Sequence, residues 1–261
     1  MKSPYGQNRV EQAAPATQLT CQNHLSELLG SGLKNLESPS LRLEKLLNYP
    51  IDSKTRNDGK ATWDSELKAI CNCANSWAGK QGNAPSPLKK MRGSKSFCLQ
   101  LAARMMVNQS GSVLNLGLLL HRHYSCPYIP GSALKGIARH YVYDQYGEDG
   151  DFRRIFGEQD NAGNVAFLNA FPTPGRKWSL VVDVLTRHND PADPFMDRKD
   201  PNPIMFPAVE RGVQFEFVVA PARPGVPADD VALAAQWLRE ALKEAGVGAK
   251  TSAGYGWFKE A

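Results

Sequence analysis

Apolar positions recur at helical spacing in the first third of the chain and at alternating positions after it. Residues 1–18 are polar, carry prolines at positions 4 and 15 and show no period, which predicts a disordered or flexible arm. Two leucine-rich helical segments are expected over 20–29 and 40–48, broken by Gly30, Gly32 and Pro39 and stopped by Pro50. Thr62 is a candidate N-cap, with Asp64 and Glu66 in the first turn, where the helix dipole favours acids. Leu67, Ile70, Cys71, Ala74 and Trp77 then follow helical spacing and predict a buried stripe. Residues 79–95 read as a basic loop holding Lys80, Lys89, Lys90, Arg92 and Lys95.

The period changes at Phe97. Phe97, Leu99, Leu101, Ala103, Met105 and Val107 alternate with other positions and predict one half-buried strand over 97–107. Ser132 predicts the cap of a helix that runs to about Tyr146, where Gly147 ends it. Val165 and Phe167 mark a short strand, residues 178–185 a second, and Val213, Phe215, Phe217 and Val219 a third. Between the last two, residues 186–207 are rich in Pro, Asp and Asn and read as a long loop excursion. Asp229 or Asp230 is expected to cap a helix through residue 245, with Leu233, Trp237, Leu238, Ala241 and Leu242 on its buried side. A short strand over 254–259 closes the chain.

With the excursion set aside, the order from residue 97 is close to βαββαβ, so the fold class is α+β. The plan is ferredoxin-like, or RNA-recognition-type, with an insertion and an N-terminal helical extension. The expected divisions are an arm over 1–18, a helical extension over 19–96 and a main domain over 97–261. Aromatic motifs of the RNA-recognition strands are absent, so base stacking on the sheet face is not expected.

Composition narrows the function. The chain has 261 residues and a net charge of +5, which suits an acidic partner. Cys21, Cys71, Cys73, Cys98 and Cys126 match no zinc-site spacing and read as reduced thiols of a cytoplasmic protein. No signal peptide is expected, and no apolar run reaches the roughly 18 residues of a membrane span.

Two stretches carry candidate chemistry. In 246–256, Gly246, Gly248, Gly254 and Gly256 surround Lys250, Thr251, Ser252 and Tyr255. Such a loop can turn its amides and hydroxyls toward an anion, with Lys250 adding charge and Tyr255 a flat ring. It is not a Walker loop, because Ala249 precedes the lysine and a helix, not a strand, leads into it. A plain helix-to-strand turn is the competing reading. In 131–139, Lys135 opposes the dipole at a helix start, a conflict that a bound phosphate would reverse, and Arg139 lies one turn further along. Upstream, His121-Arg122-His123-Tyr124 can serve as a polyanion or partner surface through Arg122 and Tyr124. His121 and His123 lack a third ligand nearby, so neither metal nor cofactor is expected.

Three stretches carry a resemblance. They are Tyr-Ile-Pro-Gly-Ser-Ala-Leu-Lys-Gly at 128–136 (preceded by Leu-His-Arg-x-Tyr at 120–124), Phe-Gly at 156–157 before Gly-x-Val-x-Phe at 163–167, and Gly-Val-Gly-Ala-Lys-Thr-Ser-Ala-Gly-Tyr-Gly at 246–256. Jointly they resemble the RAMP proteins of CRISPR systems, most of all the sixth Cmr subunit of type III-B effector complexes. The resemblance covers about 97–261 and leaves the N-terminal helices unmatched. It implies a non-catalytic, backbone-type subunit holding guide RNA near its 3′ region and meeting target RNA. The implied protein partners are the neighbouring backbone subunit, the small helical subunit and the first Cmr subunit. Carried onto this chain, the RNA contacts are Arg122, Ser132, Lys135, Arg139, Gly248, Lys250, Thr251, Ser252 and Tyr255. The insertion over 186–207 becomes a thumb that interrupts the guide–target duplex, with Arg187, His188, Phe195 and Met196 on it.

Two other readings stay open. One is a metal-independent endoribonuclease of the same class, with His121 or His123 as general acid or base and Tyr124 and Lys250 near the phosphate. Its variant gives target cleavage to Asp183 or Asp190, a role that the family assigns to a different backbone subunit. The other is a module that binds only protein.

Overall fold

The computed structural model describes residues 39, 56–80, 91–107, 118–187 and 202–261. The segments expected over 1–18, 20–29 and 40–48 lie outside the described residues, as does most of the basic loop.

Helix α1 (Arg56–Lys80) buries Leu67, Ile70, Cys71 and Ala74, the stripe its spacing predicts. It starts ahead of Thr62, which is therefore inside the helix and not its cap. A helix held by its buried face can extend past a local start signal, because packing outweighs capping. Ile70, Cys71 and Ala74 join the same core cluster as residues of the sheet.

Strand β1 (Lys95–Leu101) pairs antiparallel with β6 (Gln214–Pro221), from Lys95 opposite Val219 to Gln100 opposite Gln214. On the other side of β1 lies β7 (Phe258–Glu260). Strands β2 (Val165–Phe167) and β3 (Phe171–Pro172) both pair with β6, so the sheet order is β2-β6-β1-β7 with β3 beside β6. The expected strand over 97–107 stops at Leu101. Beyond it the backbone changes partners: Met105 bridges Val209, Met106 bridges Ala249, and the Ala102 N–H donates to the Trp257 carbonyl at 2.8 Å. The closing strand is Phe258–Glu260 and not 254–259, because the Gly256 N–H goes to the Arg104 carbonyl and its carbonyl accepts from the Val247 N–H.

Helices α2 (Gly131–Tyr146) and α4 (Ala228–Glu244) pack together on one sheet face. On that face Phe97 stacks on Phe217 at 5.3 Å, and the Arg239 guanidinium of α4 lies 5.6 Å over the Phe97 ring. By alternation along the strands, Cys98, Gln100, Glu216 and Phe171 face the other way. Helix α3 (Gly150–Phe156) went unforeseen. Its seven residues are too few for a period to register, yet Asp149 caps it, accepting from the Phe152 N–H at 2.7 Å.

The predicted caps of the longer helices are corrected. Pro130 and Pro227 occupy the cap positions of α2 and α4, without side-chain capping bonds. Ser132, Asp229 and Asp230 therefore sit inside the first turns. For α2 the cap comes from elsewhere, the Gly131 N–H donating to Asn169 Oδ1 at 2.9 Å. Asp230 is buried and accepts instead from Arg154 Nε at 2.9 Å and Asn164 Nδ2 at 2.8 Å.

A second sheet is the hairpin of β4 (Leu180–Arg187) and β5 (Asn202–Val209), paired from Leu180–Val209 to Arg187–Asn202. This corrects the excursion over 186–207, both ends of which are strand. Pro203 and Pro207 hid β5, since proline suits only strand edges lacking a ladder donor. Asn75 of α1 closes the base of β4 with both ends of its amide: Oδ1 accepts from the Leu180 N–H at 2.7 Å and Nδ2 donates to the Leu180 carbonyl at 3.0 Å.

Candidate nucleic-acid interface

The glycine-rich loop leaves α4 and crosses the end of β1 before entering β7. Its path is set by backbone contacts. The Ala249 N–H donates to the Met106 carbonyl at 2.8 Å, the Gly256 N–H to the Arg104 carbonyl at 2.8 Å, and the Val247 N–H to the Gly256 carbonyl at 2.9 Å. A Cβ on Gly248 would fall on the Met106 carbonyl oxygen, and one on Gly256 would fall on the Val247 carbonyl oxygen. Both also have positive φ, 99° and 73°. These two glycines are thus required by close packing.

The rest of the loop is different. Lys250 is itself left-handed, at φ 61° and ψ 37°, and opens a 3-10 turn, Thr251–Ala253. A lysine in this region is uncommon. Among the described residues none accepts from the backbone N–H of Lys250, Thr251 or Ser252. Lys250, Ser252 and Gly248 are exposed and Thr251 is half-buried. The turn is fixed from below, since Trp257 Nε1 donates to the Thr251 carbonyl at 2.9 Å. Three amides, two hydroxyls and one ammonium thus lie together on a held turn, the donor set an anion needs.

Tyr255 is engaged from within the protein. Its hydroxyl donates to Asp183 Oδ2 at 2.7 Å, and its ring meets Phe206 edge-on at 5.8 Å. Arg104 Nη1 holds the other Asp183 oxygen at 2.9 Å, while Arg104 Nε lies 3.5 Å from Glu210 Oε1. Burial, then Asp183, pushes the Tyr255 phenol up to about 12. Burial raises the Asp183 carboxyl, but the Tyr255 hydroxyl, the Val184 amide and Arg104 outweigh it and leave it below its usual range. The Arg104 guanidinium is raised, first by its bond to Asp183. This clamp ties the loop to the β4–β5 hairpin. Sequence could not have found it, because Tyr255 and Asp183 are 72 positions apart and only the hairpin register brings them together.

The start of α2 rests on β2: a Cβ on Gly131 would strike the Phe167 carbonyl oxygen. Ser132 is exposed and Lys135 half-buried. Arg139 turns away from the helix start, with its guanidinium 5.4 Å over the Phe152 ring and 3.9 Å from Glu148. The helix start lies at the β2 edge and the glycine-rich loop at the β1–β7 edge, with β6 and β1 between. At about 4.8 Å per strand the step across the sheet is roughly 10–15 Å, and the two also lie toward opposite ends of β1, since Phe167 is level with Val219 and Lys95 whereas the loop meets the chain beyond Leu101.

His121 and His123 are not on a strand but in a tight turn, closed by the Ser125 N–H on the His121 carbonyl at 2.7 Å and the His121 N–H on the Cys126 carbonyl at 2.8 Å. Their rings stand 5.9 Å apart. Arg122, His123 and Tyr124 are exposed there. Burial, and then His123, lower the His121 imidazole. Among the described residues no group of three or more His, Cys, Asp or Glu is placed to hold a metal, and no helix is long and apolar enough to cross a membrane. The Arg187 backbone ends β4, and His188, Phe195 and Met196 lie outside the described residues.

The profile of the RAMP superfamily matches residues 29–259. A Cmr6 subunit of Saccharolobus solfataricus is 31% identical over 147 residues, covering 56% of this chain and 49% of that protein. A Cmr6 subunit of Pyrococcus furiosus is 29% identical, covering 57% of this chain and 62% of that one. The chain thus spans about half the length of the first relative and less than two thirds of the second. Among solved structures, a chain of the type III-B Cmr-beta assembly bound to cognate target RNA aligns over 93% of this chain and 87% of its own length. Its TM-score is 0.59 at 21% identity, a likeness of fold. The match over residues 29–259 takes in α1 as well as both sheets, and the chain belongs to the RAMP superfamily, within which it is similar to Cmr6 subunits.

Proposed function

We propose that the chain is a non-catalytic, RNA-binding, backbone-type subunit of a type III-B Cmr effector complex, placed near the 3′ end of the guide. Its core is the ferredoxin-like βαββαβ unit made by β1, α2, β2 with β3, β6, α4 and β7. The β4–β5 hairpin is the base of a thumb over 186–207 that meets the guide–target duplex. Guide and target RNA, the neighbouring backbone subunit, the small helical subunit and the first Cmr subunit are its partners, in the cytoplasm.

One observation carries the RNA reading: the turn opened by the exposed Lys250 holds three successive backbone amides, of Lys250, Thr251 and Ser252, with no acceptor among the described residues. That donor set suits a phosphate and reads no base. Ser132 and Lys135 at the α2 start, with Arg122 in the turn over 121–126, form a second contact toward the other end of β1. Arg139 has the weakest claim, since its charge is directed at Phe152 and Glu148. Support from relatives is of the same kind, because the assembly whose chain shares this fold was solved with target RNA bound.

The test is direct. Full-length protein is titrated with labelled single-stranded RNA across a salt series, with and without divalent cation. Binding without cleavage, with a slope flattened in Lys250→Ala, agrees with the proposal. Strand scission, or no binding at low salt, contradicts it.

A further inference from the structure

We propose that the turn over 121–126 is a stacking platform, on which a nucleobase of single-stranded RNA lies against the outer face of the Tyr124 ring. This deepens the RNA reading and rests on it. A stacking strand was not expected, since the sheet lacks the usual aromatic motif, but the platform is built from a loop.

The rings form a layered cluster. Tyr124 stacks on His121 with centroids 4.7 Å apart and planes at 28°. Beneath, His121 meets Tyr128 and Phe171 edge-on, each at 5.5 Å, and Tyr128 stacks on Phe171 at 5.9 Å. Tyr124 is the outermost ring, 38% exposed, while His121, Tyr128 and Phe171 are half-buried. The turn is also anchored. Trp77 Nε1 of α1 donates to the Tyr124 carbonyl at 3.0 Å, and the Tyr124 N–H donates to His121 Nδ1 at 3.4 Å. A ring already floored by another and fixed at its backbone loses little freedom when a base is added.

The surroundings favour nucleic acid over protein. Arg122 and His123 are exposed in the same turn, and none of residues 121–126 is aliphatic. A protein hot spot needs an apolar surround that excludes water, whereas a base needs a flat face with cations nearby. The platform also continues into the proposed phosphate contact. Phe171 follows Ala170, which bridges Ile129, and Ile129 leads through Pro130 into the start of α2.

The experiment uses the full chain, a single-stranded oligouridylate carrying one 2-aminopurine, and an abasic ribose-phosphate strand of the same length. Wild-type protein should bind the base-bearing strand more tightly and change the 2-aminopurine emission. Tyr124→Ala should lower affinity for the base-bearing strand about tenfold, leave the abasic strand unaffected and keep the salt slope, because no charge is removed. Tyr124→Phe should bind like wild type. Equal wild-type affinity for the two strands, or an equal loss on both in Tyr124→Ala, overturns the platform, and the first of these decides the matter even if Tyr124→Ala does not fold. If Lys250→Ala still flattens the slope while Tyr124→Ala changes nothing, the platform falls and the RNA reading stands. If neither strand binds wild-type protein, both fall.

Discussion

The Tyr255 hydroxyl and the Asp183 carboxylate, 2.7 Å apart, join the glycine-rich loop to the β4–β5 hairpin. Arg104 completes the clamp from the segment after β1. The proposed phosphate turn is therefore held on two sides, by Met106 and Arg104 carbonyls beneath it and by Asp183 beside it.

Removing the hydroxyl should loosen that hold. Tyr255→Phe keeps the ring on Phe206 but leaves one Asp183 oxygen without its donor. A cost of about 1.5 kcal/mol is expected in urea unfolding, the scale of a bond to a charged group. The Asp183 carboxyl should also rise, as seen by NMR titration, because one of the bonds holding it low is gone. No change in either would mean the clamp is not formed in solution.

The glycines make a paired prediction. Gly248 has both a left-handed φ and the Met106 carbonyl where a Cβ would go, whereas Gly254, at φ 91°, has open space. Gly248→Ala should cost roughly 3 kcal/mol or more and Gly254→Ala about 1 kcal/mol. Equal losses would contradict the close approach.

Asn75 is expected to couple α1 to the hairpin. Asn75→Ala removes both bonds to Leu180 and should cost about 2 kcal/mol, with faster limited proteolysis of the hairpin. An unchanged digestion pattern would separate α1 from the rest of the domain.

The His121 ring gives a pH dependence. Burial and the neighbouring His123 lower its folded pKa below the ordinary value near 6.5, so the neutral ring is favoured in the folded state. The corresponding stability is fully present above about 6.5 and is lost as pH falls through the lowered value. Protonation would also spend Nδ1, which accepts from the Tyr124 N–H. Wild-type protein should therefore lose more stability between pH 7 and pH 5 than His121→Gln does in the same urea titration. A larger loss in the variant would reverse the sign argued here.

Much of the architecture was legible because periodicity reports burial. The Leu67–Ala74 stripe and the Trp237 face of α4 read correctly for that reason, whereas Phe215, Phe217 and Val219 marked a strand that is in fact buried on both faces from Phe215 to Ala220. What failed were features set by partners distant in sequence. Ser132 resembles a cap, but Asn169 supplies that bond from another element. The prolines of β5 resemble a loop until Asp183 pairs with Phe206 in the hairpin. At the site, composition marked Lys250 and the glycines, but the role of Tyr255 depends on Asp183, which no local pattern points to.

The central claim is that the Lys250 turn grips the phosphate backbone of RNA. The salt dependence of RNA affinity in wild type and Lys250→Ala measures this most directly. One lost phosphate contact should flatten the log–log slope by about 0.7, with no dependence on base sequence. An identical slope in the two proteins would contradict the claim.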